Sequence, residues 1–234
     1  MSRGWIRRIA VVGILLLGCR RPEPTPILSA SEILARAAEA MARTRSVHFV
    51  LERTGAPEYL DTARTMMLRR VEGAVVQPDR LQGVARIFSL GVITEIRVLR
   101  IGDRVWIALS GVGRWEALSP DRGVVIDPRV FFDAEQGLPA LMARAPLTGV
   151  RLETREGIRV YHLYGELDSG PLAGWSAGMI TGKLQADLWV DAGSFRILRV
   201  RLVEQDSDPQ DPTVWQLALS DFDRPVEIRE PGGS

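Results

Sequence analysis

Asparagine is absent from this chain of 234 residues, and lysine and cysteine each occur once, at Lys183 and Cys19. A lone cysteine excludes an intramolecular disulfide. The two histidines, His48 and His162, have no second histidine or cysteine at ligand spacing, which excludes a zinc site of the usual kind. Neither a Walker loop nor a G-x-G-x-x-G run is present, so no nucleotide cofactor is expected. Basic residues form no long run, which argues against nucleic acid as a partner. Scarce asparagine is a weak sign of a warm habitat, and arginine in place of lysine fits genome composition equally well. The apolar run IAVVGILLL is too short for a membrane span of about 20 residues.

That run follows the basic segment MSRGWIRR and precedes Leu16-Leu17-Gly18-Cys19, the order of a secretion signal. Leu-Leu-Gly-Cys resembles the bacterial lipobox, in which the signal is cut before the cysteine and the thiol carries a diacylglycerol. The plainer alternative is a cleaved signal that happens to contain a cysteine. Residues 1–18 are therefore expected to be a signal peptide and Cys19 the lipidated residue. Two or three acyl chains hold a protein stably on a membrane, at about 0.8 kcal/mol per buried methylene. The expected location is the extracytoplasmic face of a cell membrane. Loss of Arg3, Arg7 and Arg8 with the signal turns the formal charge of +1 into −2. Residues 19–28, with Pro22, Pro24 and Pro26, form a stiff tether.

Apolar content of 46% and charged content of 25% are ordinary for a folded domain. Ser29 and Glu32 spell a capping box that opens a helix, with Ile33, Leu34, Ala37, Ala38 and Met41 on one stripe. That stripe packs on an apolar surface; the opposite face is not basic, which disfavours a membrane-surface helix. Strand patterns then follow in series. SVHFVLER, MMLRRVEGAVVQ, RLQGVARIFS, VITEIRVLRI and RVWIALS alternate in period two, and WEAL is a shorter piece. Pro78-Asp79 and Gly102-Asp103 mark tight turns. Asp127-Pro128 predicts an N-cap and first helical position, so PRVFFDAEQGLPALMAR forms one or two short helices broken near Gly137. GVRLETR and IRVYHLYGEL turn at Glu156-Gly157, and DSGPLAGWSAGMITG is a short helix or an apolar loop. LQADLWVD, FRILRVRLVEQ and TVWQLALSDF close the chain as three antiparallel strands. Gly193 is expected to supply the positive φ of the first of these turns. EIREPGGS reads as a polar tail.

Strands in sequence with segregated helices predict an α+β fold. The expectation is a curved antiparallel sheet of about 10–11 strands with covering helices. Residues 29–230 form this single domain and 231–234 a tail.

Catalytic signals are thin. Gly174-Trp175-Ser176-Ala177-Gly178 spells the G-x-S-x-G nucleophile elbow, but both histidines precede the serine and the segment lies between meander strands. Glu52, Glu72, Glu95 and Asp187 read as solvated outward acids. Trp106, Trp115, Trp175, Trp189 and Trp215 read as core or rim, with a carbohydrate platform as the alternative. No enzyme activity is expected. Strand phase and helix stripes instead predict an apolar lining from Val47, Phe49, Leu51, Ile96, Val98, Leu188, Leu198 and Val200. Phe131, Phe132, Leu138, Leu141 and Met142 face it, and Leu172, Trp175 and Met179 form a lid. An empty apolar cavity costs about 24 cal/mol per Å3, so a large one is kept only for an occupant.

The segments ILARAAEAMARTRSVHFVLE, VVQPDRLQG, VFFDAEQGLPALMA, GIRVYHLYGEL, ADLWVDAGSFRILRVRLVE and WQLALSDFDRPVEI resemble the LppX/LprAFG lipoprotein family from about Ser29 to Glu230. The resemblance implies a half-barrel whose helices pack on the concave face around a hydrophobic cavity, broadly similar to the LolA and LolB carriers. It also implies binding of acylated lipids or glycolipids by a monomer, their movement across the envelope, and a membrane exporter as partner. It carries no catalytic residues. A lipoprotein chaperone or envelope scaffold acting through protein contacts is the alternative.

Overall fold

The computed structural model describes residues 28–57, 59, 63–119, 127–176 and 178–232, with the backbone alone at 174 and 175. The expected signal peptide, Cys19 and the tether up to residue 27 lie outside the described residues. Eleven strands form one curved, unclosed antiparallel sheet in the order β6-β5-β4-β3-β2-β1-β11-β10-β9-β8-β7. They are β1 (Ser46–Thr54), β2 (Met66–Val76), β3 (Arg80–Ser89), β4 (Val92–Ile101), β5 (Arg104–Leu109), β6 (Glu116–Leu118), β7 (Gly149–Arg155), β8 (Ile158–Asp168), β9 (Lys183–Asp191), β10 (Ile197–Glu204) and β11 (Val214–Ser220). The α+β expectation holds, and the strand count falls at its upper bound. Each half is a meander. The first and last strands in the chain, β1 and β11, join the halves through pairs such as Phe49–Leu219 and Leu51–Leu217.

Helix α1 (Ala30–Ala42) begins as the capping box predicts: Ser29 Oγ accepts from the Glu32 N–H, and Glu32 Oε2 accepts from the Ser29 N–H at 3.0 Å. Ile33, Leu34, Ala37 and Met41 are buried; Ala40 takes the buried place expected of Ala38, which is half-buried. Asp127 caps the 3-10 turn Pro128–Phe131, and α2 (Leu138–Arg144) starts after Gly137. Residues 170–172 and 173–176 form a 3-10 turn and a short helix, α3 (Ala173–Ser176). The helices and the inner sheet face share one core.

Three details differ from the sequence reading. Gly193 does not take a positive φ; Phe195 does, at 59°. Asp191 Oδ1 accepts from the N–H groups of Gly193 and Ser194, which moves the left-handed residue to the end of the loop. The Phe195 ring then stacks on Tyr161 at 6.0 Å. A bulge between Ile197 and Arg199 makes Leu198 the extra residue, so Ile197, fully buried, stands at the inner position opposite Val190. The tail is also anchored. Ile228 is buried against Leu99 and Trp106 on the outer sheet face, and its carbonyl accepts from Arg80 Nη1 at 2.6 Å. Two apolar side chains pointing outward on adjacent strands need cover, and the tail supplies it.

Strand direction gives the sheet two ends. The turns at 77–79, 102–103, 156–157 and 192–195 lie at the first, with the α1–β1 link. The second end carries the links after β1, β3, β5, β8 and β10.

Candidate functional site

Directly paired residues on antiparallel strands point to the same face, so the register sorts the concave side into rows. Near the first end Val47 pairs with Val75, and Val75 with Leu81. Val47, Phe49 and Val75 are 0% exposed. Phe131, set by the Asp127-capped turn, places its ring 5.5 Å from that of Phe49 and 6.4 Å from that of Phe132. Beside Phe49 the next strands carry Gly73 and Gly83, paired with each other; a Cβ at Gly73 would lie 2.2 Å from the Gln82 carbonyl oxygen. This end is plugged.

The next row is different. Leu51, Val71, Ala85 and Ile96 follow one another across β1 to β4, and Leu217 and Val200 continue the row across β11 and β10. All six face inward, yet all are only half-buried. Val98, one row nearer the plug, is half-buried too. Beyond them Leu68, Ile87, Leu202 and Trp215 are buried again. The middle of the concave face is therefore less covered than the rows toward either end. Helix α1 leans the other way: the Arg36 guanidinium sits 5.1 Å from the Phe195 ring, at the β9–β10 turn. In keeping with that, Leu188 and Leu163, on β9 and β8 of the same row, are buried.

Of the predicted lining, Val47, Phe49, Phe131, Phe132, Met142 and Leu188 are buried members of one apolar cluster. Leu51, Ile96, Val98, Leu138 and Val200 are its half-buried members, and Leu172 and Met179 pack onto it from the 168–182 segment. Leu141 is half-buried and, like Leu198, stands outside that cluster. The Trp175 side chain lies outside the described residues. Sequence reasoning did not assign Val71, Ala85 or Leu217 to the lining. Their alternation was visible, but the pairing partners that put them beside Leu51 were not.

Polar groups on the inner face gather at the second end. Trp215 donates its indole N–H to Glu204 Oε1 at 2.9 Å, and the Arg53 guanidinium lies 5.6 Å from the Trp215 ring. Arg53 also donates to the Ala56 carbonyl oxygen and to Thr213 Oγ1. Arg53, Glu204 and Thr213 are all buried. Near the plug, Asp127 meets Arg100 at 2.8 Å and bonds the Arg129 side chain and N–H. Burial raises the Asp127 pKa, but the Arg129 hydrogen bonds and the two guanidinium charges outweigh it and hold the carboxyl below its ordinary value.

Ser176, the serine of G-x-S-x-G, is buried and donates to the Leu172 carbonyl oxygen at 3.1 Å. It accepts from the Ile180 N–H at 3.2 Å, so its hydroxyl closes the α3 turn. The histidines face outward with acids: His162 Nε2 lies 2.8 Å from Asp187, and His48 Nε2 lies 3.6 Å from Glu72. Among the described residues, no three histidine, cysteine or carboxylate side chains gather as a metal site, and no helix is long and apolar enough to cross a membrane. The arrangement can hold apolar matter against the middle of the sheet.

The profile of the LppX_LprAFG lipoprotein family matches residues 29–228. Among solved structures, LprF from Mycobacterium bovis is 19% identical with a TM-score of 0.65, over 87% of this chain and 97% of that one. The Mycobacterium tuberculosis lipoprotein LppX is 15% identical with a TM-score of 0.58, over 86% of this chain and 98% of that one. These two likenesses concern the fold. A comparison with curated protein sequences finds no match.

Proposed function

Since this chain belongs to the LppX_LprAFG lipoprotein family, we propose that it is a membrane-anchored, non-catalytic carrier that holds an acylated lipid or glycolipid on its concave face and moves it within the cell envelope. The observation that carries this reading is the half-buried inner row Leu51, Val71, Ala85, Ile96, Val200 and Leu217, apolar throughout and flanked by buried rows. Apolar surface left accessible inside a fold forfeits burial energy of about 25 cal/mol per Å2, which an acyl chain restores. Moving that chain from bilayer to protein exchanges one apolar environment for another, so its net free energy is small and the step reversible. The rest of the proposed site is the plug of Phe49, Phe131, Phe132 and Met142, with Leu138, Leu188 and Val98 beside it. Leu172 and Met179 are the cover at the second end, and Arg53 and Glu204 are the polar groups nearest that cover. Cys19 is the proposed anchor, and a membrane exporter the proposed partner.

Transfer of a fluorescent acyl-labelled phospholipid from donor to acceptor vesicles tests the reading. The full chain should accelerate transfer in proportion to its concentration, and Ala85→Trp, which fills the row, should abolish the acceleration. A chain that neither binds the labelled lipid nor speeds its transfer would be a scaffold working through protein contacts.

A further inference from the structure

The same kind of turn occurs at both ends of the sheet with opposite chemistry. Glu156 and Gly157 have φ of 51° and 82° at the first end; Leu90 and Gly91 have φ of 50° and 85° at the second. Two successive positive φ values favour Asn, Asp or Gly at the leading position. Leucine there holds a strained backbone. Leu90 is nevertheless 84% exposed, so nothing in the described chain compensates. Val92 and Ile93 beside it are 62% and 63% exposed, and Val112 in the β5–β6 link is 66% exposed. The two tips are neighbours, because the Ser110 N–H donates to the Glu95 carbonyl oxygen at 2.9 Å. Strain and exposed apolar surface thus coincide on one edge of the second end, a combination that marks function rather than folding.

Three observations say what covers this edge. Val92 and Ile93, successive on β4, point to opposite faces of the sheet, and both are exposed, which suits a fluid apolar medium that can surround the edge better than a folded partner of fixed shape. The edge continues into the accessible row, since Ile96 pairs with Leu109, itself 51% exposed. A lipid chain passing between edge and row would meet apolar surface throughout. The ten residues from Cys19 to Leu28 reach about 30 Å when extended, enough to return the domain to the membrane that holds the anchor. Arg64, Arg69 and Arg114 are exposed on this side beside one exposed acid, Glu116, whereas the exposed acids Asp206, Asp208 and Asp211 lie across the sheet in the β10–β11 link, which favours an anionic surface against the tips.

We propose that Leu90–Ile93 and Leu109–Val112 form a membrane-docking edge that inserts between lipid headgroups and sets the open row against the bilayer. This rests on the lipid-carrier reading and adds the route by which lipid reaches the site. The test uses the full chain anchored in vesicles of phosphatidylethanolamine and phosphatidylglycerol. An environment-sensitive fluorophore is placed through Val92→Cys or Gly193→Cys, and the anchored parent chain, whose one cysteine, Cys19, has its sulfur taken up by the lipid, sets the labelling background. Spin-labelled phospholipid should quench the label at 92 and leave that at 193 unchanged. Leu90→Asn should lower the docked-to-undocked ratio roughly tenfold, as loss of one inserted leucine implies. Equal quenching at both positions, or none at 92, overturns docking. So does a label at 92 shielded from aqueous iodide only in a dimer, which would make the edge an interface between two copies. Lipid extracted from the same samples separates the two ideas: loaded protein with an unquenched label defeats docking alone, and a quenched label on lipid-free protein defeats the carrier alone.

Discussion

The two ends of this sheet are made from the same strands and do opposite things. At the first, Val47, Phe49 and Val75 meet α1 and the Phe131 turn and are fully buried, and the turns at 77–79, 102–103 and 156–157 carry no large apolar side chain. Two residues further along β1 the inner face opens at Leu51, and the turns beyond carry Leu90, Val92 and Val112 into solvent. One end behaves as a protein core, and the other keeps apolar side chains exposed. A single strand can therefore carry residues alike in chemistry yet unequal in energetic role, and substitutions along it can separate those roles.

The largest contrast is expected on β1 itself. Phe49→Ala should cost about 3–5 kcal/mol, because it removes a fully buried ring in contact with Phe131. Leu51→Ala should cost less, about 2 kcal/mol, since that side chain is only half-buried in the lipid-free protein. Denaturant unfolding of both variants measures the gap; equal costs would erase the distinction between the ends. Ala85→Trp probes the open row from the other direction. Overpacking a filled core costs about 1–3 kcal/mol, so a loss well under 1 kcal/mol would show room for the indole, and a larger loss would show a packed site.

Asp127→Asn bears on the plug, where the carboxylate caps the turn that carries Phe131. Losing the ionised cap and its arginine contacts should cost about 1 kcal/mol at neutral pH. The folded pKa lies below the unfolded value near 3.9, so this stability is present above that pH and disappears as pH falls through the folded value. Unfolding from pH 6 down to pH 2 should show a shallower acid loss in the variant than in the parent; parallel curves would deny Asp127 that role. The smallest effect has the opposite sign. Leu90→Asn should stabilise the chain by about 0.5–1 kcal/mol by relieving strain at φ 50°. A destabilised variant would mean that Leu90 packs against the fold.

Much of this architecture was legible in the sequence because its causes are local. Alternation exposed the strands, Ser29 and Glu32 announced α1, and Asp127-Pro128 announced the turn beneath Phe131. What stayed hidden depends on curvature and distant contacts. The bulge that substitutes Ile197 for Leu198 on the inner face arises where the sheet bends, and no residue type there demands it. Ile228 reads as part of a polar tail until Leu99 and Trp106 are seen facing outward beneath it. Val71, Ala85 and Leu217 join the open row only through their register with Leu51. Which end the helices fill is decided by tertiary packing, so the sequence reading named an apolar lining without dividing it into plug and opening.

A native mass spectrum of the intact chain, released from its host membrane under mild conditions, tests the central claim most directly. The account predicts a parent mass raised by bound lipid, and an Ala85→Trp variant that unfolds at the same denaturant concentration yet carries none. Bare protein in both spectra would contradict it.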